Sequence, residues 1–236
     1  MKREIIYGSR PVVEALKSGR RKVFDIFDAV RDQEVTKAAD SRGMKPKRVS
    51  RQRVDELSRG GVHQGVVARV EPYPYSGLAE ILASPEPLVL ILDGVTDPRN
   101  LGAVLRTAEG AGASGVVIPT DRAAGVTTTA VKASAGGSEH VRVARETNLR
   151  RAIETMKAAG LWVYAAEAGG TPYTQLELAG PVGLVFGSEG RGVRRLVREA
   201  CDGTVAIPML GNVGSLNVSV AAAVLLYEVR RQRGWP

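Results

Sequence analysis

From residue 88 to residue 233 the chain alternates short apolar runs with longer amphipathic stretches, a rhythm that restricts the fold more than any other feature of it. Leu88-Val89-Leu90-Ile91-Leu92 is apolar throughout, which predicts a strand buried on both faces. Further strands are predicted over 115–118, 161–165, 182–186 and 204–207. Helices are predicted over 101–110, 149–159, 193–200 and 218–233. Such alternation implies a parallel sheet with helices on both faces. Gly110-Ala111-Gly112-Ala113-Ser114-Gly115 matches a dinucleotide fingerprint letter for letter. It follows a helix and precedes a strand, the reverse of the order that fingerprint needs, and reads as a turn.

The first 71 residues have a different texture. A helix over 11–16 ends at Gly19, a strand covers 23–27, and a helix over 33–42 stops at Gly43. A helix over 51–59 and a strand over 65–70 complete a small α/β sandwich. Prolines 72, 74, 85 and 87 flank a short helix over 78–83, which reads as a linker. The expected organisation is a small domain over 1–71, a linker over 72–86 and a parallel-sheet domain over 87–236.

Charge narrows the partner. With 33 Lys and Arg against 25 Asp and Glu the net charge is +8, which favours a polyanion, nucleic acid before membrane. Arg20, Arg21, Lys22, Lys45, Lys47, Arg48, Arg51 and Arg53 crowd the first domain, either as an RNA-gripping face or as solvated loop charge. Aromatic residues are only 5%, too few for a surface of stacking platforms. No apolar run is long enough for a membrane helix, and the N-terminus breaks into Pro11 and charges before a signal-peptide core forms. A single cysteine, Cys201, rules out an intramolecular disulfide and suits the cytoplasm. With only His63 and His140 beside it, a zinc site is not expected. No Walker A or G-x-S-x-G sequence occurs.

Ligands of such sheets bind beyond the carboxyl ends of the strands. Three segments at that edge are rich in glycine and polar residues: 93–102, leading to a helix with Arg106; 187–192; and 208–217. Glycine lets backbone approach a ligand, and each segment leads toward a helix N-terminus. Three together point to a nucleotide-like ligand.

At these segments the sequence resembles the SpoU/TrmH family of the SPOUT methyltransferases. Asp93-Gly94-Val95-Thr96-Asp97-Pro98-Arg99-Asn100-Leu101-Gly102 through Ala108 is similar to its first motif. Val185 through Gly192 is similar to the second, and Ile207-Pro208-Met209 with Gly214 through Ala221 to the third. The first domain, with Tyr7-Gly8 and His63-Gln64-Gly65-Val66, resembles the L30e-like domain of ribosomal RNA guanosine-2′-O-methyltransferases.

The resemblance implies a trefoil knot in the parallel-sheet domain, an obligate homodimer, and S-adenosyl-L-methionine held by Gly187, Ile207 and Leu216 through backbone groups. It places Asn100, Arg106, Glu189, Ser215 and Asn217 at the catalytic site, with no metal. It also implies methylation of a ribose 2′-hydroxyl, in a guanosine of large-subunit (23S) ribosomal RNA, with transfer RNA as the alternative. Arg106 is the family's proposed base, yet a guanidinium keeps its proton in proteins. Holding the acceptor's phosphate by bidentate hydrogen bonds suits it better. Asn100 and Glu189 would orient Arg106 or bind RNA, while Ser215 and Asn217 shape the third loop or cap the last helix. A non-catalytic RNA-binding protein and a nucleotide-dependent oxidoreductase remain alternatives on sequence.

Overall fold

A computed structural model of the protein describes residues 3–188 and 190–235. The N-terminal part contains β1 (Glu4–Tyr7), α1 (Ser9–Ser18), β2 (Val23–Asp28), α2 (Gln33–Asp40), β3 (Lys47–Arg48), α3 (Arg51–Ser58) and β4 (Val66–Val70). Its sheet runs β1-β4-β2-β3, with β4 antiparallel to both neighbours. Capping follows the sequence closely. Gly19 closes α1 in the left-handed region, Asp32 accepts from Val35 N–H to open α2, and Ser50 accepts from Arg53 N–H to open α3. β1 and β3 carry no alternation long enough to predict.

After α4 (Leu78–Leu82) come β5 (Leu88–Asp93), α5 (Pro98–Gly110), β6 (Gly115–Pro119), α6 (Thr128–Ala133) and a 3₁₀ turn at Gly137–Glu139. β7 (Val143–Glu146), α7 (Leu149–Ala158), β8 (Trp162–Pro172), β9 (Val182–Gly187), α8 (Arg195–Arg198), β10 (Gly203–Ala206) and α9 (Val218–Arg233) follow. Six strands form one parallel sheet in the order β10-β8-β9-β5-β6-β7. Alternation on β5 divides the core: Leu88, Leu90 and Leu92 face α5 and α9, while Val89 and Ile91 face α7 and the α4 residue Ile81. Each such fully buried side chain contributes roughly 1.5–3 kcal/mol of hydrophobic stabilisation.

Neither α6 nor β7 is among the predicted elements, and four details of what is predicted differ from expectation. Asp97 accepts from Arg99 N–H and Pro98 stands at the first helical position, so α5 begins a turn early and Asn100 lies on a helix rather than in a loop. The helix predicted over 193–200 shortens to α8, because Asp93 holds the Arg194 backbone. β8 runs on to Pro172, past the predicted end. The segment read as a linker is tied down: Tyr73 is buried, its hydroxyl donating to Ser138 O at 3.0 Å, and Ser76 pairs with Ala144. No described helix is long and apolar enough to cross a membrane.

Candidate active site

The sheet order reverses between β5 and β9. The chain runs outward from β5 through β6 and β7, then crosses to return through β8 and β9. The ends of β5 and β9 stand side by side, with Asp93 opposite Gly187. Asp93 is buried, and its carboxylate accepts from Arg194 N–H at 2.8 Å and from Arg194 Nε at 2.7 Å. That clasp folds the second loop back over the strand end, where Gly192 N–H donates to Ser188 O at 2.9 Å. Gly187 has to be glycine here, since an added Cβ would stand 1.9 Å from the Gly192 carbonyl carbon.

Beneath this turn lies a cavity of about 460 Å³, within the roughly 300–1,000 Å³ typical of small-molecule sites. Phe186, Val205, Ile207, Leu216 and Ala221 supply apolar wall, while Ser188, Ser215, Glu167 and turn backbone supply polar groups. All three expected cofactor residues, Gly187, Ile207 and Leu216, line it, and Ser215 joins them. Asn217 does not line it but links two helices. Its Oδ1 accepts from Ser219 N–H at 2.9 Å to cap α9, while its Nδ2 donates to Asn100 Oδ1 at 3.1 Å.

Arg106 sits elsewhere. Six residues beyond Asn100, it lies about 9 Å farther along α5 and about 120° around it. It is exposed, hydrogen-bonds to none of the described residues, and does not line the cavity. Glu189 lies outside the described residues.

Two contributors escaped the sequence reading. Asp93 was signalled by a carboxylate ending a buried strand; Glu167 could not be found, because β8 was expected to stop at Ala165. Two of the cations read either as an RNA-gripping face or as solvated charge are structural instead: buried Arg21 pairs with Glu139, and Arg20 donates to Val141 O at 2.8 Å. Lys47 and Arg48 pair with Asp25 and Asp28, and Arg53 with Glu56, while still facing solvent, as Lys45 and Arg51 do. The remaining reactive side chains are packing groups. Burial, then the nearby Asp202 carboxylate, pushes the Cys201 thiol up to about 12. His63 bridges Asp55 at 2.7 Å and Gly65 N–H at 2.9 Å.

The family described as SpoU rRNA Methylase matches residues 87–227, and one described as RNA 2′-O ribose methyltransferase substrate binding matches residues 5–76. The 23S rRNA (guanosine-2′-O-)-methyltransferase RlmB of Photorhabdus laumondii is 44% identical over 98% of this chain and 98% of its own. RlmB of Escherichia coli K12 is 42% identical over 98% of this chain and 99% of its own. Among solved structures, the SpoU methyltransferase AviRb from Streptomyces viridochromogenes, in complex with AdoMet, aligns with a TM-score of 0.83 at 27% identity. That alignment covers 97% of this chain and 89% of AviRb. Identity of this extent across both halves, with the family match spanning the parallel sheet, makes the chain a member of the SpoU rRNA methylase family.

Proposed function

We propose that the protein transfers a methyl group from S-adenosyl-L-methionine to the 2′-hydroxyl of a guanosine in 23S ribosomal RNA. The observation that carries this reading is the convergence of the family's second and third motif loops on one cavity at the sheet's reversal point. The relatives named for 23S ribosomal RNA match the N-terminal part as well as the parallel sheet.

The residues suit the cofactor. Gly187 leaves a backbone cradle that a side chain would fill, and Ile207 and Leu216 offer apolar wall with adjacent peptide groups to a neutral adenine. When bound, the cofactor supplies an electrophilic methyl on a sulfonium, so the chain's task is alignment and charge stabilisation. Ser215 shapes the cavity's polar side, and the Asn100–Asn217 bond fixes the third loop against α5. Arg106 holds the acceptor's phosphate as a bidentate donor, a role its exposure permits. Glu189, between Ser188 and Gly190, orients it or contacts RNA.

Two further features belong to this reading. The active unit is a homodimer: Leu210, Val213, Val220 and Tyr227 leave large apolar surface exposed on α9 and the third loop, extended by Trp235 just past α9, and Arg106 of the same chain does not line the cavity. The C-terminal part forms the family's trefoil knot, a reading supported by α9 packing back on α5 after β10 has reached the opposite edge. The cytoplasm, where unmodified ribosomal RNA is available, is the compartment this activity requires.

The test is incubation with methyl-labelled S-adenosylmethionine and unmodified bacterial RNA, separated into ribosomal and transfer fractions and then hydrolysed in alkali. A methylated 2′-oxygen cannot attack the adjacent phosphate, so label in resistant dinucleotides from ribosomal RNA is expected. Label in transfer RNA alone would reverse the substrate; none in either fraction, with ribosomal precursor particles also tried, would leave an RNA-binding protein. Arg106→Ala should abolish transfer while cofactor affinity stays within about threefold, or 0.65 kcal/mol; equal loss of both would remove Arg106 from the acceptor side.

A further inference from the structure

The segment 127–141, between β6 and β7, touches both halves of the molecule. On one side it packs on α5. A Cβ added at Gly102 would stand 2.5 Å from Ala130 O and from Ala133 Cβ, and one at Gly137 would stand 3.2 Å from Arg106 Cα. On the other side it meets the N-terminal domain. Thr128 Oγ1 donates to Ile5 O at 2.7 Å, and Lys132 Nζ donates to Gln64 Oε1 at 2.7 Å. Gly136, at φ 91°, leaves no room for a side chain against Glu14 Cβ, 2.7 Å from where its Cβ would be. At the centre, Glu139 and Arg21 form an ion pair in which both side chains are 1% exposed.

Domains joined by a linker are expected to move unless their interface is large and apolar. Here one hydrophobic cluster runs through the contact, joining Ile6, Val12, Val13 and Leu16 to Ala130, Val131 and Val141. A buried ion pair contributes little net stability over an apolar pair of its size, but losing one partner leaves a charge stranded. Arg21–Glu139 therefore penalises partial separation of the two domains more than it strengthens either one.

We infer that segment 127–141, locked by Arg21 and Glu139, is a positioning element that holds the N-terminal domain fixed against α5, so that RNA gripped by that domain reaches Arg106 already aligned. This rests on the methyltransferase reading above. Arg21 and Glu139 touch neither substrate nor cofactor; they act through the placement of α5 and α1. Alignment of bound reactants appears in the turnover rate rather than in affinity.

The experiment compares the full-length wild type with Arg21→Met, Arg21→Met/Glu139→Met and Arg20→Ala. Methyl transfer to ribosomal RNA is read at saturating RNA, alongside RNA and cofactor affinities and hydrogen exchange of the Ser138 and Glu139 amides. Arg21→Met is expected to lower kcat about tenfold with both affinities within about threefold, and to speed exchange. The double variant strands no charge and should restore kcat to within about threefold of wild type. Arg20→Ala removes the partly buried hydrogen bonds to Val141 O and Ser76 Oγ but strands no charge, and should show the same pattern at about two- to threefold, so it decides the question if Arg21→Met does not fold. Faster exchange with unchanged kcat would overturn the inference, as would loss of RNA affinity with kcat intact. A wild type that methylates no RNA would instead overturn the functional reading, while the exchange data would still report whether the domains are locked.

Discussion

Segments 128–141 and 207–217 each hold two glycines among apolar and polar residues, yet they obey opposite rules. In the first, Ser134, Ser138 and Glu139 are buried with every polar group partnered, and its glycines are crowded by α1 and α5. In the second, Leu210 stands wholly in solvent, and neither Gly211 nor Gly214 has an atom within 4 Å of where a Cβ would lie. One stretch uses small side chains to bring three elements of the chain together. The other carries larger side chains, and Ile207, Met209 and Leu216 among them line the cavity. Glycine alone does not distinguish these uses; what surrounds it does.

The contrast breaks most easily at its extreme. Gly187, in the loop that faces 207–217 across the cavity, is both crowded and on the ligand side, so Gly187→Ala must displace the Gly192 backbone. Calorimetric titration should show S-adenosylmethionine affinity falling at least about tenfold, since backbone overlap of this kind costs about 1–3 kcal/mol or more. Unchanged affinity would mean that the second loop does not shape the cofactor site.

A paired substitution sharpens it further. Gly102→Ala drives a methyl into α6 backbone and should cost about 1–3 kcal/mol in urea unfolding. Gly211→Ala enters open space and should stay within about 0.5 kcal/mol. A Gly211→Ala variant as destabilised as Gly102→Ala would show the third loop packed in solution, as a second copy of the chain would pack it.

Gly102 also marks where sequence reasoning reached its limit. Its place in the first motif suggested an approach to ligand; the structure gives it a helix–helix contact instead. The strands β5 and β9 and helix α9 were legible because long apolar or 3.6-period runs define them, and the convergence of Gly187, Ile207, Ser215 and Leu216 on one cavity was legible because resemblance named their loops. Segment 128–141 was not, since its order comes from packing on α5 on one side and, on the other, from residues more than a hundred positions away, such as Ile5 and Glu14. The same holds for Arg20 and Arg21, whose letters in a basic run look like solvated charge until Val141 and Glu139 arrive beside them.

The smallest expected effect lies at the rim of that buried segment and is read by pH. Burial alone would raise the pKa of Glu14, but hydrogen bonds from Lys17 at 2.9 Å and with His140 Nε2 at 2.8 Å outweigh it, so the carboxyl sits below its ordinary 4.5. A carboxyl lowered on folding stabilises fully above the unfolded value, and that contribution is lost as pH falls through the folded one. Because the pair is partly exposed, solvent screening holds the effect to at most about 1 kcal/mol. Exchange of the Ser138 and Glu139 amides should therefore accelerate as pH falls below about 4.5, once the intrinsic pH dependence of exchange is removed. In Glu14→Gln the corrected profile should be flatter over that range. If the two profiles coincide, Glu14 does not help hold α1 to the segment, and the buried Arg21–Glu139 pair with its apolar surroundings carries the contact without it.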